Sequence, residues 1–373
     1  MTTPHKILFV FGTRPEAIKL APVIKAAEQD PAFRVETCVT AQHRQMLDQM
    51  LKMFAIHPTH DLDLMKDNQS LSGFTSEAIV AIGEVLADAE PLLVVVQGDT
   101  TTTMAAALGA FYRRIPIAHV EAGLRTSEKY APFPEEINRR IVSVVSDLNF
   151  APTDWARDNL LREGIRKDRI FVVGNTVVDA VLAISRTLDV TATIDSMYGP
   201  GRIVLVTAHR RESFQRLEAI CDVVRRLVEE FDDIVVVFPV HLNPNVANVV
   251  RARLAGVDRI RLLPPLDYLS FVDVLRHAYL VLTDSGGVQE EAPIFGKPVL
   301  VLREVSERPE GIQANVARLV GTSASTILDH VRRLLSDERE YLQMARAQSP
   351  YGDGKASGRI VTTIKSFLDE AIE

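Results

Sequence analysis

The sequence predicts an α/β protein built from two Rossmann-like, doubly wound domains. Short runs rich in Val, Ile and Leu recur along the chain, separated by longer segments with helical periodicity. Runs that are apolar throughout are typical of strands buried on both faces, as in a parallel sheet covered by helices. Strands and helices alternate over the whole length, which indicates repeated βαβ units. The clearest runs cover residues 7–11, 92–96, 115–120, 203–206, 234–238, 280–282 and 299–302.

The length of 373 residues suits two domains better than one. Turn-forming residues interrupt the strand–helix pattern at Asp189–Gly201, and we place the boundary between about Val172 and Gly201. The predicted domains are residues 1–172 and 173–355. Residues 356–373 have the pattern of a terminal helix, and the residues alone leave open which domain it joins.

Composition and charge narrow the class of protein. The net charge of −7 argues against a nucleic-acid partner, although a local cluster of cations can still bind an anionic ligand. The apolar run near the N-terminus stops at Gly12, so it is too short for a signal peptide or a membrane span. Cys38 and Cys221 are predicted to be reduced core residues. These features together predict a cytoplasmic protein that binds neither nucleic acid nor membrane.

Six of the predicted strands, three in each half, end in charged or hydroxylated residues near Gly or Pro. Loops are polar in general, but this explains one or two such ends more easily than six. Ligands of open parallel sheets bind beyond the carboxyl ends of the strands. We therefore expect two facing crevices with a ligand between them. The segments are GTRPEAIK (12–19), QGDTT (97–101), EAGLR (121–125), TAHRRE (207–212), PVHLNP (239–244) and TDSGG (283–287).

Two predicted helix starts have features of anion sites. Ser285, Gly286 and Gly287 follow a strand, and the free amides of the helix start suit a diphosphate, with Glu291 near enough for ribose hydroxyls. A capped helix start with Ser285 as N-cap explains the same residues equally well. The second start follows Gly12, where Arg14 and Lys19 would face a negative charge. The sequence has neither a Walker loop nor a G-x-G-x-x-G fingerprint in a suitable place.

Acidic side chains and histidines supply candidates for proton transfer. Asp99 and Glu121 directly follow apolar strands, where an acid needs a partner or a ligand. Within one predicted helix, Glu135 and Arg139 share a face, as do Glu136 and Arg140, and such pairs are ordinarily surface support. His209 and His241 each follow a strand of the second half, which favours function over a structural role. The spacing of Cys, His and acidic residues does not suggest a metal site.

Nine motifs occur in an order that resembles the bacterial non-hydrolysing UDP-N-acetylglucosamine 2-epimerases. The resemblance covers nearly the whole chain, from Ile7 to Gly358. It implies a fold of the glycosyltransferase-B type, with the active site in the cleft between two domains, and a homodimer. It also implies that the terminal helix returns to the first domain. The motifs are FGTRPEAIKLAP, QGDTTTT, HVEAGLRT, PFPEEINR, TAHRRESF, PVHLNP, DSGGVQEEAP, GKPVLVLR and SERPEG.

The resemblance also implies roles for particular residues. Two segments depart from the usual pattern, residues 304–306 and 314–316, both beside the expected diphosphate contacts. The implied catalytic residues are Asp99, Glu121 and Glu135, as acid–base groups, and His209, which would stabilise the departing diphosphate. The implied substrate-binding residues are Arg14, Lys19, Arg139, Phe271, Ser285, Gly286, Gly287, Glu291 and Arg308. Some relatives bind a second UDP-N-acetylglucosamine as an activator, and the matching residues here are Gln42, His43, Gln45, Arg210 and His241, although Asn68 stands where such relatives can carry Arg.

The implied reaction inverts carbon 2 of UDP-N-acetylglucosamine and supplies precursors of cell-surface polysaccharides. The carbon 2 proton is not next to a carbonyl, so direct removal would need an implausibly strong base. Without a dinucleotide loop, elimination and re-addition of UDP through 2-acetamidoglucal is the expected route, with no cofactor and no metal. The alternatives are a hydrolysing epimerase that releases UDP and N-acetylmannosamine, a glycosyltransferase of the same fold, and a catalytically silent sugar-nucleotide-binding regulator.

Overall fold

The computed structural model describes residues 4–41, 44–66, 68–188, 198–208 and 217–372, without the side chains of residues 45, 371 and 372. The chain forms two compact units, Met1–Ala180 with Tyr351–Glu373 and Val181–Pro350. The helix Thr176–Ser185 contains the first boundary between them. This boundary lies eight residues after the predicted end of the first domain.

The first unit contains a seven-stranded sheet in which every strand pair is parallel. Its strand order is β3-β2-β1-β4-β5-β6-β7, so the order reverses between β1 and β4. Such a reversal opens a crevice at the carboxyl ends of the two strands. The strands are β1 His5–Phe11, β2 Phe33–Val39, β3 His60–Asp61, β4 Leu93–Gln97, β5 Ile117–Val120, β6 Leu148–Ala151 and β7 Ile170–Val172.

Helices follow these strands and cover the sheet. The terminal helix Ala356–Ile372 packs against the helix that follows β1, so both ends of the chain belong to this unit. Ala356 and Ser357 donate backbone hydrogen bonds to the carboxylate of Asp179, at 3.2 and 2.9 Å. The helices that precede it are α1 Arg14–Glu28, α2 Arg44–Met53, α3 Leu71–Ala89, α4 Thr101–Tyr112, α5 Glu135–Val145, α6 Asp154–Arg162 and α7 Thr176–Ser185, with a 3-10 helix at Lys167–Arg169.

The central strands are buried as predicted. Phe9 and Phe11 of β1 are fully buried, and each contributes about 1.5–3 kcal/mol by leaving water. The start of β5 differs from the prediction by two residues. The backbone amide of Ile115 donates to Ala110 at the end of α4, and Pro116 has no amide to donate, so the ladder begins at Ile117.

The second unit contains a six-stranded parallel sheet in the order β10-β9-β8-β11-β12-β13. The order reverses between β8 and β11, as it does between β1 and β4 in the first unit. The prediction of two doubly wound parallel sheets is therefore confirmed. The strands are β8 Arg202–Thr207, β9 Ile234–Pro239, β10 Ile260–Leu263, β11 Ala278–Thr283, β12 Val299–Val301 and β13 Ala317–Leu319.

The helices of the second unit bury apolar faces against both sides of its sheet. Cys38 of β2 and Cys221, on the helix after β8, are free and buried, and burial raises the pKa of their thiols to about 12 and about 11. Among the described helices none is long and apolar enough to cross a membrane. The helices are α8 Leu217–Glu230, α9 Pro244–Leu254, α10 Tyr268–His277, α11 Gly286–Glu291, α12 Pro309–Gln313, α13 Ala324–Ser336 and α14 Glu338–Ala345, with a 3-10 helix at Ala292–Phe295.

Candidate functional site

Three predicted site segments of the first unit follow neighbouring strands. Strands β1, β4 and β5 are adjacent in the sheet and parallel, so their carboxyl ends lie at one edge. Arg14, Asp99 and Glu121 follow these three ends. The topology therefore brings an arginine and two carboxylates to the edge where the strand order reverses.

Glu121 is held in a defined position at the end of β5. Its φ angle of 65° lies in the left-handed region, which is uncommon for a residue with a side chain. Its carboxylate forms an ion pair with Lys19 and accepts a hydrogen bond from Gln97. Asn175 donates to the same carboxylate at 3.3 Å. Only 8% of the side chain is exposed, so Lys19 compensates a largely buried negative charge.

Asp99 is the more open carboxylate, with 26% of its side chain exposed. It forms an ion pair with Arg139 of α5, and Asn138 donates to its backbone carbonyl at 3.0 Å. Arg139 also contacts Glu136, with 3.4 Å between Nη1 and Oε2. Helix α5 therefore holds Asp99 through both its side chain and its backbone.

Residues 135–140 are only in part the surface pairs that the sequence suggested. Glu136 and Arg140 form the predicted i,i+4 ion pair, at 3.0 Å between Oε1 and Nη2. Glu136 is fully buried, however, and the guanidinium of Arg139 extends to Asp99 on a different element. Glu135 begins the helix and is half-buried.

The start of α1 differs from the anion site expected there. The amides of Gly12 and Thr13 donate to the carboxylate of Glu16, at 3.0 and 2.7 Å, which closes a capping box. The other oxygen of Glu16 accepts from the hydroxyls of Thr100 and Thr103, at 2.6 and 2.8 Å. These amides and hydroxyls are therefore occupied by the protein's own carboxylate. Burial raises the pKa of Glu16, and the four hydrogen bonds act in the opposite direction.

Two residues at this edge of the sheet, Glu16 and His119, were not among the predicted site residues. The spacing of Thr13 and Glu16 is the signature of a capping box, so it could have revealed the internal role of the acid. His119 interrupts an apolar run, and a buried polar side chain needs a hydrogen-bond partner. That partner is the carbonyl of Gly98, at 2.8 Å from Nε2.

In the second unit, Ser285 caps α11 by accepting a hydrogen bond from the amide of Val288 at 3.5 Å. A Cβ atom added at Gly286 would lie 2.6 Å from Nη1 of Arg308, so the glycine lets the guanidinium approach the helix start closely. Ion pairs with Glu290, at 2.6 Å, and Glu307, at 3.2 Å, hold this guanidinium. Three predicted ligand residues therefore meet at one helix start.

The loop before Arg308 departs from the family pattern, and its geometry is nevertheless well defined. Ser306 accepts from the amide of Arg308 at 3.1 Å and donates to Gln289 of α11 at 2.8 Å. Two residues further along α11, Glu291 accepts a hydrogen bond from Tyr268 at 2.9 Å. Phe271 lies one turn after Tyr268 on α10 and is partly buried in the core of this unit.

Some of the remaining predicted site residues lie outside the residues that the structure describes. His209, Arg210, Gln42 and His43 lie outside the described residues, as does the side chain of Gln45. His241 follows β9, and its Nδ1 atom accepts from the amide of Asn243 at 3.1 Å. The segment before α3 includes Asn68, with a φ angle of 56°. Among the described residues there is no group of three or more His, Cys, Asp or Glu side chains placed to hold a metal ion.

Comparison with known proteins gives one consistent result. A family described as UDP-N-acetylglucosamine 2-epimerase matches residues 25–365. The UDP-N-acetylglucosamine 2-epimerase of Salmonella typhimurium is 49% identical, over 97% of this chain and 99% of that protein. The crystal structure of UDP-GlcNAc 2-epimerase from Neisseria meningitidis bound to UDP-GlcNAc has a TM-score of 0.90 and 44% identity, covering 97% of this chain and 100% of that one. S. aureus MnaA in a structure with UDP has a TM-score of 0.90 and 47% identity, covering 98% and 97%.

Proposed function

Because this chain belongs to the UDP-N-acetylglucosamine 2-epimerase family, we propose that it interconverts UDP-N-acetylglucosamine and UDP-N-acetylmannosamine. One observation carries the proposal. Asp99 and Glu121, at the ends of neighbouring strands, each form an ion pair with a largely buried cation. Such pairing fixes a carboxylate in direction, which a base that takes a proton from carbon needs.

The reaction proceeds by elimination and re-addition. A carboxylate takes the proton from carbon 2 while the bond between carbon 1 and the UDP oxygen breaks, and UDP leaves with the bonding electron pair. The two carbons are then joined by the double bond of 2-acetamidoglucal. UDP adds back to carbon 1, and a proton is delivered to the opposite face of carbon 2. Asp99, Glu121 and Glu135 are the acid–base groups of this scheme.

The leaving diphosphate needs stabilisation of its negative charge. The first amides of a helix have no partner within the helix and carry a partial positive charge. At the start of α11 they lie beside the guanidinium of Arg308, which approaches closely over Gly286. This combination supports a diphosphate site at Ser285, Gly286 and Gly287. Arg14, Lys19, Arg139, Glu291 and Phe271 are the further substrate-binding residues of the proposal.

An isotope experiment tests this function. The purified protein is incubated with UDP-N-acetylglucosamine in deuterated water, and the products are identified by NMR. We expect both epimers, with deuterium at carbon 2 and UDP still attached. Free N-acetylmannosamine and UDP would indicate the hydrolysing alternative, and an unchanged substrate without deuterium would contradict the proposal.

Removing the acid–base carboxylates one at a time tests their roles. We expect Asp99→Asn, Glu121→Gln and Glu135→Gln each to lower kcat by about 10²–10⁴-fold, the usual contribution of a general acid or base. The affinity for UDP should change far less, because these variants leave the α11 start intact. Kinetics and UDP titration measure both quantities.

Glu28→Gln is the matched control for these variants. It removes a carboxylate from the exposed end of α1, where Glu28 pairs with Lys25 at 2.9 Å. Exposed ion pairs of this kind contribute about 0–1 kcal/mol, so turnover should stay at the level of the native protein. Turnover near the native level in all three carboxylate variants would overturn the assignment.

The proposal extends to assembly and location. Exposed apolar side chains lie on three neighbouring helices of the first unit, Val80 of α3, Phe111 and Tyr112 of α4 and Val144 of α5. Such side chains support a homodimer through this face, and sedimentation velocity measures the mass.

The two free, buried thiols support a cytoplasmic protein. Activation by a second substrate molecule remains a prediction that rests on the family resemblance.

A further inference from the structure

His119 lies in the middle of β5 and is completely buried. Its Nε2 atom is 2.8 Å from the carbonyl oxygen of Gly98. A carbonyl oxygen can only accept, so the proton of the neutral ring must be on Nε2. Among the described residues none forms a hydrogen bond with its Nδ1 atom. The histidine therefore makes one directed hydrogen bond, to the turn that follows β4.

The environment of the ring keeps it neutral. The pKa of His119 is lowered to about 4, mainly by burial; the bond to Gly98 raises it, and the guanidinium groups of Arg125 and Arg139 add to the lowering. A second proton on the ring would place a third positive charge beside these two arginines. The neutral, Nε2-protonated form is thus the one that the fold selects.

The turn that receives this hydrogen bond presents Asp99. Gly98 has a φ angle of 74°, in the left-handed region that favours glycine, and its amide donates to the carbonyl of Val120 at 3.0 Å. The next two residues are held from other elements. Asn138 of α5 donates to the carbonyl of Asp99 at 3.0 Å, and the hydroxyl of Thr100 donates to Glu16 at 2.6 Å. His119 adds a second contact from β5, the strand beside β4.

We propose that His119 is a positioning residue that fixes the Asp99 carboxylate through its hydrogen bond to the carbonyl of Gly98. The inference rests on the proposed acid–base role of Asp99. The ring does not need to touch the substrate, and it transfers no proton. It acts by setting the orientation of the peptide group between Gly98 and Asp99. That orientation sets the position and direction of the Asp99 side chain.

Two substitutions separate this bond from simple filling of space. In His119→Gln the amide nitrogen can occupy the place of Nε2 and still donate to Gly98. In His119→Asn the shorter amide reaches only the place of Nδ1. We expect His119→Asn to lower kcat by about 10²-fold, because a misplacement of about 1 Å at a catalytic group has that effect. We expect His119→Gln to stay within about threefold of the native kcat, since orientation is retained.

Asn149 provides the matched control. It is fully buried, lies on the adjacent strand β6 and pairs in register with His119. Asn149→Leu disturbs the same layer of the sheet without touching the turn at Gly98, so kcat should remain at the native level. Thermal unfolding of all three variants shows whether a fall in kcat is caused by loss of the folded structure. The affinity for UDP should be the same in each.

The outcomes distinguish this inference from the proposed function. If the native protein does not exchange deuterium into carbon 2, the function itself fails. If the native protein exchanges and His119→Asn keeps the native kcat, or His119→Gln loses as much as His119→Asn, the positioning role is wrong. Nitrogen-15 NMR of the native protein adds a test that needs no variant to fold. It should show one neutral, Nε2-protonated histidine that does not titrate between pH 5 and 8, and an Nδ1-protonated ring in its place would overturn the inference.

Discussion

Helices α1 and α11 both begin at the carboxyl end of a central parallel strand, yet their starts face different partners. In α1 the N-cap is Thr13, and the third helical residue, Glu16, folds back to accept the amides of Gly12 and Thr13. In α11 the N-cap is Ser285, and the third helical residue is Val288, which has no acceptor to offer. The first start is closed by the protein itself, and the second is the start at which we propose that the diphosphate binds.

The difference comes from the position of the acid along the helix. A glutamate three residues after the N-cap can reach back to the first amides, whereas Glu290 and Glu291 come too late in α11 to do so. Those two acids instead hold Arg308 and Tyr268. The same residue type therefore closes a helix start in one unit and holds a neighbouring arginine and tyrosine in the other, where we propose that the diphosphate binds.

Removing the internal acid should have the largest effect on stability. In Glu16→Ala the amides of Gly12 and Thr13 lose their acceptor in a buried place, at about 1–3 kcal/mol for each such group. We expect the free energy of unfolding to fall by about 3 kcal/mol in urea titrations. Glu16→Gln should lose less, because its carbonyl can still accept from both amides. A loss no larger than that of Glu28→Gln would show that the closed start contributes little.

The buried, neutral His119 makes the stability of the first unit depend on pH. The pKa of His119 is lowered to about 4 in the folded protein, so its contribution to stability is complete above its unfolded pKa of 6.5. That contribution is lost as the pH falls from about 6.5 to about 4, because only the unfolded chain binds the proton, and it amounts to about 3 kcal/mol.

Comparison with His119→Gln isolates this effect. The variant has no ring to titrate, so its free energy of unfolding should fall less between pH 7 and pH 4 than that of the native protein. Glu16 has a raised pKa, which stabilises the fold at low pH and is common to both proteins, so the difference between them cancels it. Equal slopes in the two proteins would mean that His119 is protonated in the fold.

The sequence predicted most of the central strands because each is apolar along its whole length, as burial on both faces requires. The clearest runs did not include the interior strands β2 and β6, which contain charged or polar residues, or β3, β10 and β13 at the edges of the two sheets. An edge strand is short and has one partner, so its apolar run is weak. The strand-end residues Asp99 and Glu121 were predictable for a related reason, since parallel strands bring their carboxyl ends to one edge.

The bracing contacts of the site were not predictable in this way. Glu16 meets Thr100 across 84 residues, and His119 meets Gly98 across 21. Each of these residues by itself has an ordinary local explanation, a helix cap or a core histidine. What makes them part of the site is a hydrogen bond between elements that are distant in sequence, and no local pattern contains that information.

A methyl group added at Gly286, at the start of α11, should have the smallest effect on the free energy of unfolding and should weaken the binding of UDP. In Gly286→Ala the new Cβ would lie 2.6 Å from Nη1 of Arg308, so the guanidinium must move away from the helix start. We expect the affinity for UDP to fall by about tenfold, which corresponds to about 1.4 kcal/mol, as measured by calorimetric titration. The free energy of unfolding should change by less than about 1 kcal/mol.

The control for this last prediction is Gly83→Ala, in the middle of α3. No atom lies within 4 Å of the Cβ that it adds, so the substitution should stabilise the helix by about 0.5–1 kcal/mol and leave UDP affinity unchanged. If Gly286→Ala binds UDP as tightly as this control, the α11 start is not the diphosphate site. Ser285 would then be an ordinary helix cap, and the two helix starts would differ only in how the protein closes them.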